Sequence, residues 1–233
     1  GANSTVEPTG TSTGVTSTSD GYQWKYMFTV STADVGKFTT AEYIPVKVIT
    51  ADDSSGQFAV QDAAVDGAID VIDVSAGGSG YLTDNGSFQA VTNSTSMRLA
   101  TTASANDSVY IGSTLYLNGG LGAGLIREIT SYTGATRTVT VNTAFSTTPN
   151  TSSTYIVSPK VAISGDGTGA AAFSNVTTGG TAVNYINMIS TGTGYTNATV
   201  TISANTSFGS GATAIPYIGP RGGHGKNARE ELG

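Results

Sequence analysis

His224 is the only histidine of the chain and stands in the run Gly219-Pro220-Arg221-Gly222-Gly223-His224-Gly225. A Ser-His-Asp triad would have to use it as the base, but no Gly-x-Ser-x-Gly nucleophile elbow accompanies it, and a glycine-rich loop holds a base poorly. A structural role, with the ring hydrogen-bonded to backbone, is the expectation. The acidic doublets Asp52-Asp53 and Glu230-Glu231 are the candidates for paired-carboxylate glycoside hydrolysis. Neighbours in an extended chain point to opposite faces, so these read as solvated surface groups. Asp166 in Gly165-Asp166-Gly167, with Asp70 and Asp73, could contribute to a calcium site. One aspartate per turn falls short of the roughly six to eight oxygens that calcium takes, and Asp in a glycine-rich turn is ordinary turn chemistry. Gly78-Ser79-Gly80 and Gly192-Thr193-Gly194 follow predicted strands, as phosphate loops do, but no helix follows and no Gly-Lys-Ser/Thr occurs. They read as tight structural turns that need positive φ, closed by Tyr81 and Tyr195 packing over them. No catalytic residue, metal ligand or cofactor is assigned, and the chain is not expected to be an enzyme.

The composition points the same way. Charged residues are 11% of the 233, against about 25% in an average globular protein. Thr, Ser, Gly, Ala and Asn take their place. Gly and β-branched residues are poor in helices, whereas Thr, Val, Ile and Tyr suit a half-buried pleated surface. With 31 Gly and only 6 Pro, tight turns between strands are expected rather than a disordered chain. The net charge is −6 and no basic patch exists, so nucleic acid is not an expected partner. No apolar run is long enough to span a membrane, and the first twenty residues have no secretory-signal pattern. Cysteine is absent, which excludes disulfides and thiolate metal sites.

The elements follow from pattern. Residues 1–19 read as an extended arm or linker. Tyr22, Trp24, Tyr26, Phe28 and Val30 alternate, which predicts an aromatic-faced strand. Trp24, the only tryptophan, reads as a core or interface anchor. A short helix is expected from Ser31 or Thr32 as N-cap, and an edge strand over Tyr43–Ile49 around Pro45. Residues 68–81 and 182–195 then resemble one another at a constant offset of 114 residues, ending in Gly78, Gly80, Tyr81 and Gly192, Gly194, Tyr195. Val161–Ala172 likewise mirrors Val200–Ala214. About 80 residues separate the two elements in the first copy and almost none in the second, which reads as an insertion at a loop. Within it, strands are predicted at 96–100, 114–118, 125–132, 136–141 and 153–157, with even spacing and glycine turns. A capped helix is expected from Asn227. The fold expected is all-β: an antiparallel sandwich or barrel built from an internal repeat (20–89 and 159–218), a second small β-module inserted at 90–158, and a glycine-rich segment at 219–233.

Asp20-Gly21-Tyr22-Gln23-Trp24-Lys25-Tyr26-Met27, then Lys37-Phe38 and Ile44-Pro45-Val46, resembles a segment of the baseplate wedge subunits of T-even-like contractile-tailed bacteriophages, the gene product eight family. Gly219–Gly225 with Glu231-Leu232-Gly233 is similar to the same family's glycine–histidine loop. The resemblance touches most of 19–89 and 159–233, and is weaker across the insert. It implies a mainly β protein without catalytic residues, assembled in the host cytoplasm into the virion tail baseplate, forming homodimers and contacting other wedge proteins. Tyr22, Trp24, Tyr26, Arg221 and His224 are then the candidate interface residues. In the family further chain lies on both sides of these motifs, so a piece of a longer protein is expected. Two other functions fit parts of the pattern: a receptor-binding fibre or adhesin module with 90–158 as its knob, and a polysaccharide-degrading tail enzyme.

Overall fold

A computed structural model describes residues 3–176, 180–204 and 208–232. The protein is mostly β, with 40% strand and 8% helix, and its sheets are antiparallel. The chain forms two compact units: residues 1–68 with 219–233, and residues 69–218. Residues 20–68, read above with the main β-domain, therefore cluster with the glycine-rich end.

In the first unit β1 (Val15–Ser17) pairs with β2 (Gln23–Lys25). Asp20 ties the turn between them: its Oδ2 accepts from Ser4 Oγ and from the amides of Thr5 and Val6, and its Oδ1 from Thr18 Oγ1. These bonds hold its carboxyl well below the usual range. Helix α1 (Thr32–Phe38) is capped by Ser31, whose Oγ accepts from Asp34 N, as its sequence predicts. Helix α2 (Gly56–Asp62) was not expected, since Gly, Phe and Val are weak helix formers. It forms because Ser55 caps it and because Gln57 and Val60 find burial. Helix α3 (Ala228–Leu232) begins after Asn227, whose Oδ1 accepts from Glu230 N.

Of two expected strands one forms only in part, as β2, and one does not form. The aromatic alternation continues to Val30, but the ladder stops at Lys25, because β1 offers only three partners. The segment 43–49 forms no strand; side chains take two of its carbonyls, with Gln57 Nε2 donating to Lys47 O and Gln61 Nε2 to Ile49 O.

The second unit holds three two-stranded ladders and one seven-stranded sheet. β3 (Ile69–Ser79) pairs with β15 (Ser210–Ile218), β12 (Thr168–Val176) with β13 (Val183–Thr193), and β11 (Lys160–Gly165) with β14 (Ala198–Ser203). The first two ladders have the same register. Ala212↔Gly77 corresponds to Ala170↔Thr191, Ile215↔Asp73 to Phe173↔Asn187, and Ile218↔Ile69 to Val176↔Val183. Even the β-bulges coincide, between Thr213 and Ala214 in one and Ala171 and Ala172 in the other. The third ladder maps onto itself: Val161 faces Ile202 and Ile163 faces Val200. The pairing is crossed: β3 joins β15 from the far end of the unit, while β12 joins the next strand, β13. The ladders enclose two small cores of matching make-up. Ile69, Ile163, Tyr195 and Ile218 belong to one, and Val183, Ile202, Tyr81 and Val176 to the other.

Each core is closed by a tyrosine lying where a glycine lacks a side chain. A Cβ on Gly209 would come within 2.2 Å of the Tyr81 ring, and one on Gly167 within 2.4 Å of the Tyr195 ring. Gly78 (φ +62°) and Gly192 (φ +66°) turn the chain into these tyrosines.

The seven-stranded sheet is a curled half-barrel. Its strands are β4 (Asp84–Ser87), β5 (Ala90–Val91), β6 (Ser96–Arg98), β7 (Thr114–Gly119), β8 (Ile126–Thr133), β9 (Thr138–Val141) and β10 (Thr154–Ser158), in the order β4-β10-β7-β8-β9-β6-β5. Its interior is the largest core of the chain, with Met97, Leu99, Leu115, Leu117, Ile129 and Tyr155 fully buried.

The tyrosine closures predict a contrast between two glycines. Gly167→Ala forces a Cβ into the Tyr195 ring and should lower stability by roughly 2–4 kcal/mol. Gly124, at φ +90° with nothing within 4 Å of its Cβ position, should lose only about 1 kcal/mol on the same change. Urea denaturation of the two variants measures the difference, and equal losses would show that the ring contact contributes nothing.

Candidate functional site

Four titratable groups shifted by burial lie inside the half-barrel. Asp84 on β4 is 8% exposed and faces β10. Tyr155 Oη donates to Asp84 Oδ2 at 2.5 Å, Thr102 Oγ1 donates to Oδ1 at 3.2 Å, and Ala100 N donates to Tyr155 Oη at 2.8 Å. Burial raises the Asp84 carboxyl above its ordinary range, against the hydrogen bonds from Tyr155 and Thr102 that lower it. Burial, then the bond to Asp84, pushes the Tyr155 hydroxyl far up. The Tyr155 ring stacks on Phe88 with centroids 4.9 Å apart. Beside it Tyr110 and Tyr132 meet edge to face. Tyr132 donates to Ser104 O and Tyr110 accepts from Ser104 N, and burial raises the hydroxyls of both, that of Tyr132 to about 12. Every one of these hydroxyls has a partner, which is how a polar group is tolerated in a core. The cluster ties strands to loops. No sequence signal marks it, because Asp84-Asn85-Gly86 has the look of a turn and its partner lies 71 residues away.

An open cleft of about 480 Å³ lies where β7, β8, β11 and β12 meet, lined by Thr114, Arg127, Glu128, Asn142, Lys160 and Ala171 among others. Its charges are already used. Lys160 Nζ and Glu128 Oε2 are 2.7 Å apart. The Arg127 guanidinium donates to the carbonyls of Ile126, Thr143 and Ala144 and lies 5.4 Å over the Phe145 ring.

The five candidate interface residues all fall in the first unit. Tyr22 is exposed and Trp24 and Tyr26 half-buried. The Tyr22 and Trp24 ring centroids are 6.2 Å apart, Trp24 Nε1 donates to Thr18 Oγ1, and Tyr26 Oη bonds Thr29 Oγ1. Arg221 is exposed, beside a small hollow lined by Pro220, Asn227, Glu230 and Glu231. His224 Nδ1 pairs with Glu231 Oε1, and Glu231 Oε2 accepts from Gly225 N at 2.9 Å. α3 brings a carboxylate back to the ring, which the sequence could not show. The glycines of the loop sit where side chains would collide. A Cβ on Gly223 would meet the Val65 backbone at 2.4 Å, and one on Gly225 the Val60 side chain at 2.2 Å. Gly222 N donates to Asp66 Oδ1 at 2.7 Å.

Three of the other acidic candidates, Asp166, Asp53 and Asp52, are used locally. Asp166 accepts from the amides of Thr196 and Asn197 and from Thr196 Oγ1, bonds that hold its carboxyl well below the usual range. Asp53 accepts from Ser55 N and from Lys47 Nζ at 3.0 Å, and the bonds to Ser55 and then Lys47 lower it to about 2. Asp52 accepts from Ser54 N. Among the described residues no three His, Cys, Asp or Glu side chains come together as a metal set. No described helix is long and apolar enough to cross a membrane. Comparison with protein-family models, with curated proteins and with solved structures finds no match to this chain.

Asp84 makes a pH prediction. Its folded carboxyl titrates above the unfolded one, so the folded state binds the proton more tightly. That contribution is fully present below the unfolded value, about 3.9, and is lost as pH rises through the folded value. Asp84→Asn, able to accept from Tyr155 and donate to Thr102, should therefore gain on the native chain as pH rises from about 4 to 7. Urea titrations of both proteins at several pH values measure this; a difference that stays flat with pH would show that Asp84 is charged in the folded state at no cost.

Proposed function

We propose that this chain is a structural virion protein of a phage tail baseplate wedge, acting through protein–protein assembly contacts. One observation carries the reading. The stretches that resemble wedge subunits lie some two hundred residues apart, at 20–46 and 219–233, yet belong to one compact unit. Within that unit the second stretch is held to residues 60–66: Gly222 N donates to Asp66 Oδ1, and Gly223 and Gly225 pack closely on Val65 and Val60. Two unrelated chance matches have no reason to share a packing unit.

The surface of the same unit suits assembly. Tyr43, Ile44 and Val48 are 71%, 55% and 63% exposed, on a segment rich in strand formers. Among the described residues the amides of Ile44, Val46 and Val48 have no backbone partner. A segment with free amides is a template for strand addition by a neighbour. Low charge and abundant hydroxyl side chains fit broad, partly polar contacts.

Cryo-electron microscopy of the particle that contains the chain tests this. Density for it in the baseplate ring, against other wedge proteins, is the expected result. Density at a distal fibre tip, or its absence from the tail, would overturn the reading.

A further inference from the structure

The matching registers of the β3–β15 and β12–β13 ladders make them comparable residue by residue, and the comparison exposes a difference between them. On β12 the outward row is Ala171, Phe173 and Asn175; on β15 it is Thr213, Ile215 and Tyr217. Phe173 is 9% exposed. It is covered by Tyr116 of β7, whose ring stacks on it with centroids 4.3 Å apart and planes 17° apart. The half-barrel thus lies on one ladder. The equivalent face of the other is bare: Ile215, in the place of Phe173, is 48% exposed, and its neighbours Tyr217 and Val71 are 53% and 48% exposed. Val71 pairs with Tyr217 and Asp73 with Ile215, so the three apolar side chains and one carboxylate form a single patch. Asp73 is exposed, and among the described residues it has no ion-pair or hydrogen-bond partner for its carboxylate.

We propose that this face of the β3–β15 ladder is a docking surface for a different subunit of the same particle, whose own β-surface lays an aromatic ring on Ile215 beside a basic side chain that meets Asp73. The inference rests on the assembly reading. The aromatic follows from the covered ladder, where the same construction is completed by a flat ring on Phe173. The basic group follows from charge. A carboxylate enclosed in an apolar contact needs a partner, and the chain, at a net −6, has little positive charge to offer. A second copy meeting this face about a two-fold would carry a second Asp73 into the same patch, so self-association is disfavoured.

The test is photo-cross-linking in purified particles carrying the full chain with Ile215→p-benzoylphenylalanine, followed by sequencing of the joined peptides. The expected result is a bond to another chain at a segment holding an aromatic residue close to a Lys or Arg. A bond to a second copy of this chain overturns the proposal. So does the absence of any bond when mass spectrometry finds the chain in the particle, an outcome that leaves the assembly reading intact. If the chain is missing from particles, both fall. In a parallel measurement Asp73→Lys should keep the native melting temperature and cut incorporation by about tenfold, as like charge facing a basic partner does. Unchanged incorporation of that folded variant overturns the charge argument and with it the proposal.

Discussion

Tyr81 and Tyr195 each lie flat against a glycine at the end of a ladder, and the second unit depends on that contact. A ring can approach a backbone so closely only where no Cβ stands in the way. The closure joins strands that are far apart in sequence, since Gly209 lies under Tyr81 and Gly167 under Tyr195. Each contact also seals a core of only a few side chains. Such cores bury little apolar area, so loss of one well-packed ring removes a large share of what holds them. The half-barrel is different. It has a larger interior of its own, in which buried tyrosine hydroxyls are all bonded and tie loops to strands.

The crossed pairing has a kinetic consequence as well as a structural one. β3 cannot complete its hairpin until β15 is available, and β12 waits for β13. The β3–β15 ladder closes over the whole intervening chain, so its loop entropy must be met before any of its contacts form. The half-barrel lies between them in sequence and is built from nearer neighbours, such as β7 with β8 and β8 with β9. Formation of its sheet brings the two ends of its own segment together at β4 and β10, which shortens the search left to the outer strands.

On the assembly reading proposed above, function would reside in surfaces. Several of the polar side chains that sequence reasoning singles out are engaged with their neighbours: Asp166 in a turn, Asp53 with Lys47, His224 with Glu231. What remains uncommitted is backbone at 43–49 and the bare apolar face around Ile215. Both are places where a neighbouring subunit could supply what the chain lacks, a strand in one case and a covering ring in the other.

The sequence alone determined that the protein is β-rich, because Thr, Val, Ile and Tyr alternate between glycine turns and leave few helix formers. The five strands predicted within the insert form to within two residues of their expected bounds, though β5 was not foreseen, and the caps at Ser31 and Asn227 were legible because they depend on neighbours a few positions away. Other features were not legible, for reasons of distance. The segment 43–49 has a strand's composition, but a strand needs a partner, and none comes from the described residues. Helix α2 has a poor helix sequence, yet a cap at Ser55 and burial of Val60 stabilise it. The Asp84–Tyr155 bond, the Glu231 clamp on His224 and the ring of Tyr116 on Phe173 all join residues whose meeting no local pattern encodes. Tertiary structure decided these, because burial and pairing are properties of the whole packed chain, whereas propensity and turn chemistry are properties of a few adjacent residues.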